Sequence, residues 1–337
     1  MQYLLSAAGV MLMSWCLGQQ TPSYSQQVVN PFLVNPASAG EYGTMRAFLN
    51  VRNQWVQIPG SPLTQTLTLD APLPKERLAV GLKVVNDKIH FLGTTNIKAS
   101  VGYVLQIKEF QTLRFGMGIG VAQSRILKDD FIAESPEEIQ AIAGNTSSLI
   151  PGVDVGVRYL HKNWAFGFSA LNLLAGRGVF ASDVGGDELA VLQVSEFLFQ
   201  GSKLLELPKG NALEPLVMVK TAEGLGVSVE GGLSFYYHNM VQIFAGTRNA
   251  NNLIATLGVW ASDAYYVGYT FELGGISNNK TPWNTHEVMI GFRLASALKS
   301  KIKGFKDVKL FKSGSRKEDK ELERLIKEND ELKEKEK

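Results

Sequence analysis

The chain has 337 residues, of which 45% are hydrophobic, 20% are charged and 33 are glycine, and its formal net charge is +2. A nearly neutral body does not suggest nucleic-acid binding, so we expect no nucleic-acid partner. After the first residues, no stretch offers the roughly 18 consecutive apolar residues that a membrane helix needs, which argues against a helical membrane protein.

The first predicted element is a secretory signal peptide over residues 1–18, which are apolar and carry no charged side chain. We expect cleavage before Gln19. The alternative is a lipoprotein modified at Cys16, but the position before a lipidated cysteine needs a small side chain and holds Trp15. Because Cys16 is the only cysteine, cleavage leaves a mature chain without disulfides, thiolate metal sites or cysteine nucleophiles.

An apolar segment interrupted by proline follows over residues 19–43. Its core reads VVNPFLVNPASAGEYG and holds two Asn-Pro pairs, Asn30-Pro31 and Asn35-Pro36, and then Gly40. Proline lacks a backbone donor and is excluded from helix interiors and central strands. We therefore predict a non-regular segment here.

Residues 44–298 alternate with a period of two. In EVMIGFRL, for example, Val288 and Ile290 share an apolar face, whereas Glu287 and Met289 lie on the opposite face. A soluble sandwich also alternates, but its second face would be rich in Thr, Ser and Lys rather than Gly. The apolar face also persists over about 9–10 residues, the length of a tilted membrane strand. The sequence therefore predicts an all-β, transmembrane antiparallel barrel, closed because lipid cannot satisfy an open edge.

About fourteen strands are predicted, and their connections differ by parity. The strands lie near 44–52, 62–70, 77–86, 94–107, 111–124, 150–160, 163–171, 189–205, 212–220, 225–237, 240–247, 252–261, 264–273 and 285–294. Loops after odd strands are mostly long and include 53–61, 87–93 and 125–149, whereas those after even strands are short turns. This asymmetry predicts long loops outside the cell and both chain termini in the periplasm.

Two loops carry further local signals. Ser135-Pro136-Glu137-Glu138 has the N-cap and first-turn residues of a short helix reaching about Ala143. The run Asn86-Asp87-Lys88 favours a solvated hairpin loop over a cation site.

The chain offers no persuasive catalytic or metal site, and we expect no cofactor. Its four histidines are not at metal-ligand spacing, and none pairs clearly with a hydroxyl; they are His90, His161, His238 and His286. Gly116, Gly118 and Gly120 alternate on one strand face, so we expect them to leave room in the lumen for a plug or crossing side chains.

The tryptophans fall into two groups. Trp164 and Trp260 lie beside short turns, where we expect an aromatic girdle at the membrane interface. Trp55 and Trp283 lie in the long loops, where two roles remain open: anchors for a protein partner, or further girdle residues.

The charged tail, residues 299–337, is predicted to lie in the periplasm. Residues 299–317 carry eight basic residues and one acid, a composition that favours lipid headgroups or an acidic surface. Residues 318–337 read as a helix. Within it, coiled-coil candidates follow a 3-4-3 spacing: Leu322, Leu325, Asn329 and Leu332. Either a solvated helix or a contact with a periplasmic partner fits this pattern.

Several stretches together resemble the PorP/SprF family of outer-membrane proteins of the type IX secretion system. They are SQQVVNPFLVNPASAG, RNQWVQIPGSPLTQTLTLDAPL, GLKVVNDKIH, LEPLVMVK and THEVMIGFRL, and the resemblance extends from about Ser25 to Leu294. The first two carry most of it, through the Asn-Pro pairs and through Asn53, Gln54 and Trp55. No motif of this family is recognised in the tail.

The resemblance implies a non-enzymatic outer-membrane barrel of the secretion or gliding apparatus. It implies exported surface proteins such as adhesins as cargo, and a secretion-motor or peptidoglycan-associated protein as a periplasmic partner. It also suggests that the Pro-broken segment is a plug inside or beneath the barrel, although an ordinary periplasmic lead-in remains open. The alternative function is a passive pore for small solutes.

Overall fold

The structure is a computed structural model that describes residues 22–73, 77–108, 110–127, 147–180, 189–224, 226–238, 240–262, 264–275 and 283–294. The predicted signal peptide, loop helix and charged tail, including Leu322, Leu325, Asn329 and Leu332, lie outside these residues. Within the described part of the chain, no helix is both long and apolar enough to cross a membrane.

Antiparallel strands make up most of the described chain. In order they are β1 Met45–Asn53, β2 Leu63–Pro72, β3 Leu78–Ile89, β4 Leu92–Lys108, β5 Gln111–Ile126, β6 Ser147–His161, β7 Trp164–Leu171, β8 Gly176–Phe180, β9 Leu189–Gln193, β10 Glu196–Lys203, β11 Leu205–Leu207, β12 Asn211–Ala222, β13 Gly226–Tyr237, β14 Val241–Arg248, β15 Asn252–Trp260, β16 Tyr265–Gly274 and β17 Trp283–Leu294. Three short 3-10 helices accompany them: Pro31–Leu33, Pro36–Ser38 and Pro208–Gly210.

The strands form one closed barrel of 14 strands, as predicted. β10 and β11 pair with the same neighbour, β12, and act as one interrupted strand. The barrel closes where β1 pairs with β17, with Met45 opposite Leu294 and Asn53 opposite His286. Closure removes the free edges that a membrane could not accommodate.

The predicted inner and outer faces are confirmed. On β17, Ile290 is 53% exposed on the outside, whereas the neighbouring Met289 is fully buried inside. On β5, Met117 is likewise exposed and Gly116 faces inward. The apolar band therefore covers the outside of the barrel, where lipid lies.

The two ends of the barrel differ, and we name them by their connections. The connections at the long-loop end include 54–62, 127–146, 172–195 and 275–282. Those at the short-turn end are shorter and include 109–110 and 73–77. One long connection, 172–195, contains the separate hairpin β8–β9.

Some predicted boundaries were wrong. The predicted strand 189–205 is divided, because its first part is β9 of the small hairpin and only the part from β10 onward belongs to the barrel wall. The predicted loop 87–93 is a two-residue turn, His90–Phe91, because β3 and β4 continue to pair up to Ile89 and Leu92. Asn86-Asp87-Lys88 therefore lies in β3, not in a solvated loop.

Candidate functional site

The lumen of the barrel is occupied by the N-terminal part of the described chain, residues 22–43, which we call the lumenal segment. Gly40 lies at the short-turn end, against Pro72 and Ala79. Ser25 lies towards the other end, where its backbone N–H donates to Glu287 over 3.0 Å. Pro22 lines a cavity at the long-loop end. The segment thus runs along much of the lumen.

The two Asn-Pro pairs each start a single 3-10 turn, with the proline in the first turn. Asn35 caps the second turn by accepting from the backbone N–H of Ala37 over 2.9 Å. The side chain of Asn30 instead donates to Thr68 Oγ1 of the wall over 2.7 Å. The pairs therefore break regular structure while turning polar side chains towards the segment itself and the wall.

Inward-facing glycines make room for the segment. A Cβ atom at Gly81 would lie 2.3 Å from Phe32, and one at Gly116 would lie 2.2 Å from the backbone of Ala37. Either distance is far inside van der Waals contact, so a larger residue would displace the segment. The expectation that Gly116 leaves room for other parts of the chain is thus confirmed.

Wall side chains also satisfy the segment's buried carbonyl groups. Arg114 donates to Ala37 O over 3.0 Å and to Ala39 O over 2.6 Å. Ser169 donates to Val34 O over 2.8 Å. An irregular backbone lacks internal partners, so these wall donors are what allow it to be buried.

A buried network of charges holds the other end of the segment; we call it the Glu–Arg network, and its members are Arg52, Glu230, Arg248, Glu272 and Glu287. Arg52 bridges Glu272 over 2.7 Å and Glu287 over 2.9 Å, and Arg248 bridges Glu230 and Glu272, each over 2.8 Å. Three carboxylates face two guanidinium groups. The excess negative charge is met by N–H groups of the segment, from Ser25 and Gln26 to Glu287 and from Gln27 to Glu230.

Tyr24 is buried beside this network. Its hydroxyl group shares a hydrogen bond with Thr66 Oγ1 over 2.9 Å. Burial raises the pKa of the Tyr24 phenol well above its ordinary value, so the side chain stays neutral.

An apolar patch lies at the long-loop end; we call it the rim patch, and its members are Trp55, Val56, Ile58, Ile89 and Trp283. The rings of Trp55 and Trp283 meet edge to face, with 5.6 Å between their centroids. The backbone N–H of Val56 donates to Asn284 O, and that of His90 to Gly60 O, so the first loop is fixed to both neighbouring hairpins. The patch is therefore ordered although it is partly exposed.

A row of polar side chains borders the apolar band on β2 to β5 at the long-loop end. Gln65, Asn86, Thr95 and Gln123 lie side by side on the outer face, in register. Asn86 donates to Gln65 over 3.4 Å, and Thr95 donates to Asn86 over 3.1 Å. The row directly below is apolar, with Leu67 and Ile97 exposed. This row lies on β2 to β5, whereas Trp55 contacts β17 through Trp283 and Thr285, so it does not distinguish an anchor from a girdle role for Trp55.

The other two tryptophans behave differently from each other. Trp164 is 42% exposed on the outside at the short-turn end, which agrees with a girdle role. Trp260 packs against the inward-facing Tyr266, with 5.2 Å between ring centroids, and lies under Arg293. The girdle interpretation of Trp260 is therefore wrong, because its ring faces the lumen.

The remaining predicted motif residues, Asn53 and Gln54, lie at the junction of β1 and the first loop. Asn53 ends β1 and Gln54 opens the first loop, where its N–H donates to Pro62 O. The sequence reasoning missed the Glu–Arg network altogether. Its signal was charged residues at inward positions of apolar strands, such as Arg52 and Glu287.

The described residues contain no group of three or more His, Cys, Asp or Glu side chains that could hold a metal. His90 lies in the turn between β3 and β4, and His286 lies in β17, where it bonds Tyr269 through Nδ1 over 2.7 Å.

Comparison with known proteins identifies one family. A family model described as "Type IX secretion system membrane protein PorP/SprF" matches residues 17–292. No curated protein matches the chain in sequence.

Several solved structures are similar in shape. The CymD monoaromatic hydrocarbon channel is 13% identical, with a TM-score of 0.47, covering 82% of this chain and 95% of that one. The toluene transporter TbuX of Ralstonia pickettii is 9% identical, with a TM-score of 0.46, covering 78% and 92%. The translocator domain of the autotransporter NalP from Neisseria meningitidis is 12% identical, with a TM-score of 0.34, covering 74% and 88%. At such low identities and TM-scores, these likenesses carry no conclusion about function.

Proposed function

The chain belongs to the PorP/SprF family of type IX secretion system membrane proteins, and on that premise we propose that it engages or anchors exported surface proteins, such as adhesins. It does so as a non-enzymatic barrel in the outer membrane, as part of the secretion and gliding apparatus. The long-loop end faces outward and the short-turn end faces the periplasm.

The observation that carries this proposal is the filled lumen. A passive pore needs a continuous water path, but here Phe32, Leu33 and Ala37 of the lumenal segment are each at most 1% exposed. Leu33 and Phe32 each pack in an apolar cluster with residues of the wall. Arg114 of the wall donates to the backbone carbonyl of Ala37. A barrel built around its own N-terminal segment is suited to holding a partner rather than passing solutes.

The rim patch is the surface that we assign to the exported partner. Aromatic side chains that are rigid and partly exposed are frequent anchors of protein interfaces. The Trp55–Trp283 pair at the long-loop end meets this description. An exported protein held at the cell surface would contact this end of the barrel.

The opposite end contacts the periplasmic machinery in this proposal. The tail residues Leu322, Leu325, Asn329 and Leu332 remain our candidates for a coiled-coil contact with a secretion-motor or peptidoglycan-associated protein. The signal peptide at residues 1–18 would direct the chain out of the cytoplasm.

The test of cargo engagement is surface display in cells that carry rim variants. We expect Trp55→Asn and Trp283→Ala together to reduce cargo display several-fold, because an interface loses its anchors. Asparagine suits position 55, whose φ is 53°, so the loop is not strained by the change.

Trp164→Ala is the matched control, because it removes an exposed tryptophan from the other end of the same barrel. It should leave display unchanged. Heat-modifiable mobility on gels confirms that each variant is folded. Normal display by the folded rim double variant would show that the patch does not anchor cargo.

A further inference from the structure

A cavity lies at the long-loop end of the lumen, beside the lumenal segment. It is partly open to solvent and is lined by residues of β3 to β7, the 172–195 connection and Pro22. Nothing in the proposed cargo role yet uses it.

The floor of this cavity is electrostatically satisfied. Lys98 Nζ donates to Asp154 Oδ1 over 2.5 Å and to Asn172 Oδ1 over 2.6 Å. Lys83 Nζ donates to Leu33 O of the lumenal segment over 3.2 Å. These lysines are therefore part of the packing beneath the cavity.

The upper part of the cavity holds a carboxylate and amide oxygens whose bonding capacity is not filled. Asp87 is 9% exposed and accepts from Thr64 Oγ1 over 2.6 Å, and no lysine or arginine among the described residues forms an ion pair with it. The buried oxygens Asn96 Oδ1 and Gln193 Oε1 have no hydrogen-bond partner within the same part of the chain. Buried acceptors without donors are costly, so this group of oxygens is poised to receive a ligand rich in N–H groups.

Two of these acceptors, on Asp87 and Asn96, lie close together because of the strand register. Asp87 is opposite Thr94, and the next inward pair along the same strands is Val85 opposite Asn96. Directly opposite side chains in a sheet lie about 5 Å apart at Cβ. A single planar group with several donors can therefore reach more than one of them.

Apolar side chains also line the cavity: Val85, Ala122, Ile150 and Leu171. Val85 lies between Lys83 and Asp87 on the inner face of β3. An aliphatic stem that carries a cationic head fits this order of surfaces, because such side chains bury their methylene groups and leave the head among polar partners.

We propose that this cavity binds a basic side chain, with arginine favoured, from an extended segment of the exported partner; this inference rests on the proposed function. Guanidinium has five donors and no acceptor, which matches the Asp87 carboxylate and the two amide oxygens. Lys83 precedes Asp87 by four residues on the same strand, about 13 Å at 3.3 Å per residue. The floor lysines also pair with Asp154, whose carboxylate lies 2.5 Å from Lys98 Nζ and 3.8 Å from Lys83 Nζ and offsets part of their charge.

The test uses three blocked tripeptides, acetyl-Ala-X-Ala-amide, and the purified full chain in detergent. X is arginine, citrulline, which has the same shape without charge, or norleucine, which has only the stem. Calorimetry should rank arginine above citrulline and citrulline above norleucine, with about tenfold between the first two, because charge-assisted hydrogen bonds are the stronger ones. Equal affinity of the three peptides, or tighter binding of a glutamate peptide, would overturn the proposal.

Variants of the wall locate the site. Asp87→Asn should weaken the arginine peptide about tenfold and leave the norleucine peptide unchanged, while the new amide can still accept from Thr64. Asn96→Asp should tighten the arginine peptide. Asn86→Asp adds the same negative charge next to Asp87, at a residue whose side chain points to the outside of the barrel, and should not change peptide binding. If Asn86→Asp tightened binding as much as Asn96→Asp, the effect would be bulk charge and the assignment would be wrong.

The outcome separates this site from the proposed function. Peptide binding is measured without cargo, so the two proposals can fail separately. If arginine binds specifically and the rim variants display cargo normally, the cavity is a binding site and the rim patch is not a cargo anchor. Reduced display by the rim variants without arginine binding would remove the cavity alone.

Discussion

Gly81 shows how a single missing methyl group fits the wall to the lumenal segment. A Cβ atom there would lie 2.3 Å from Phe32 Cζ, and Phe32 is only 1% exposed and cannot turn into solvent. We expect Gly81→Ala to destabilise the folded barrel by about 1–3 kcal/mol, the usual cost of overpacking. Thermal unfolding in detergent measures this loss.

Two further variants control that experiment. Gly201→Ala adds the same methyl group where the nearest atom lies 3.6 Å away, an ordinary contact, so its melting temperature should stay close to that of the parent. Phe32→Leu in the Gly81→Ala background should recover part of the lost stability, because the two changes act on one contact. Similar losses for Gly81→Ala and Gly201→Ala would mean that the segment does not press on this wall.

Substitution of Ile290 tests whether the outer face of the barrel contacts lipid. It is 53% exposed in the apolar band of β17, so Ile290→Arg should destabilise the barrel in bilayers by about 2–4 kcal/mol. Asn86→Arg lies in the polar row at the margin of the band and should cost no more than about 1 kcal/mol. Equal costs in a bilayer unfolding assay would show that the outer face is not in contact with lipid.

Among the elements, the lumenal segment depends most on Glu287. This carboxylate accepts from the backbone N–H groups of Ser25 and Gln26 and from the side chains of Asn50 and Arg52. In Glu287→Gln, one acceptor oxygen becomes an NH₂ group that faces those donors. We expect local opening to become easier by about 2 kcal/mol, so the amides of Ser25 and Gln26 should exchange hydrogen roughly 30-fold faster.

The matched control is Glu206→Gln, which removes a charge from the exposed strand β11. Exchange at Ser25 should not change in this control. If Glu287→Gln also left exchange unchanged, the Glu–Arg network would not be what holds the segment.

The non-regular character of the lumenal segment was predictable, but its contacts were not. Asn30-Pro31 and Asn35-Pro36 rule out regular structure through local chemistry alone. Their partners are distant in sequence, since Asn35 donates to Phe168 O, 133 residues further along. Only the closed barrel brings such groups together.

Local signals also explain the boundary errors. Asn86-Asp87 has the composition of a turn, yet β3 continues through it because both residues have cross-strand partners in Thr95 and Thr94. The break before β10 falls at Val194-Ser195, which lacks the glycine or proline that normally marks a turn. In both places the pairing of strands overrides residue propensity.

At the scale of the whole molecule, alternation and loop parity predicted the closed barrel and its two unlike ends. Period-two patterning fixes which face is apolar, and closure follows from the absence of water in the membrane. The Glu–Arg network and the cavity could not be predicted, because both depend on which inward positions meet across strands. The structure thus adds to the predicted barrel a lumen filled and bonded by its own N-terminal segment.

Single-channel conductance in planar bilayers tests this central claim most directly. The full-length mature protein should show no steady open conductance, because residues 22–43 fill the lumen. A variant lacking residues 22–40, shown to be folded by heat-modifiable mobility, should conduct steadily, since the strands begin only at Met45. A steady open pore in the parent protein, or a folded deletion variant that conducts no better than the parent, would contradict the account.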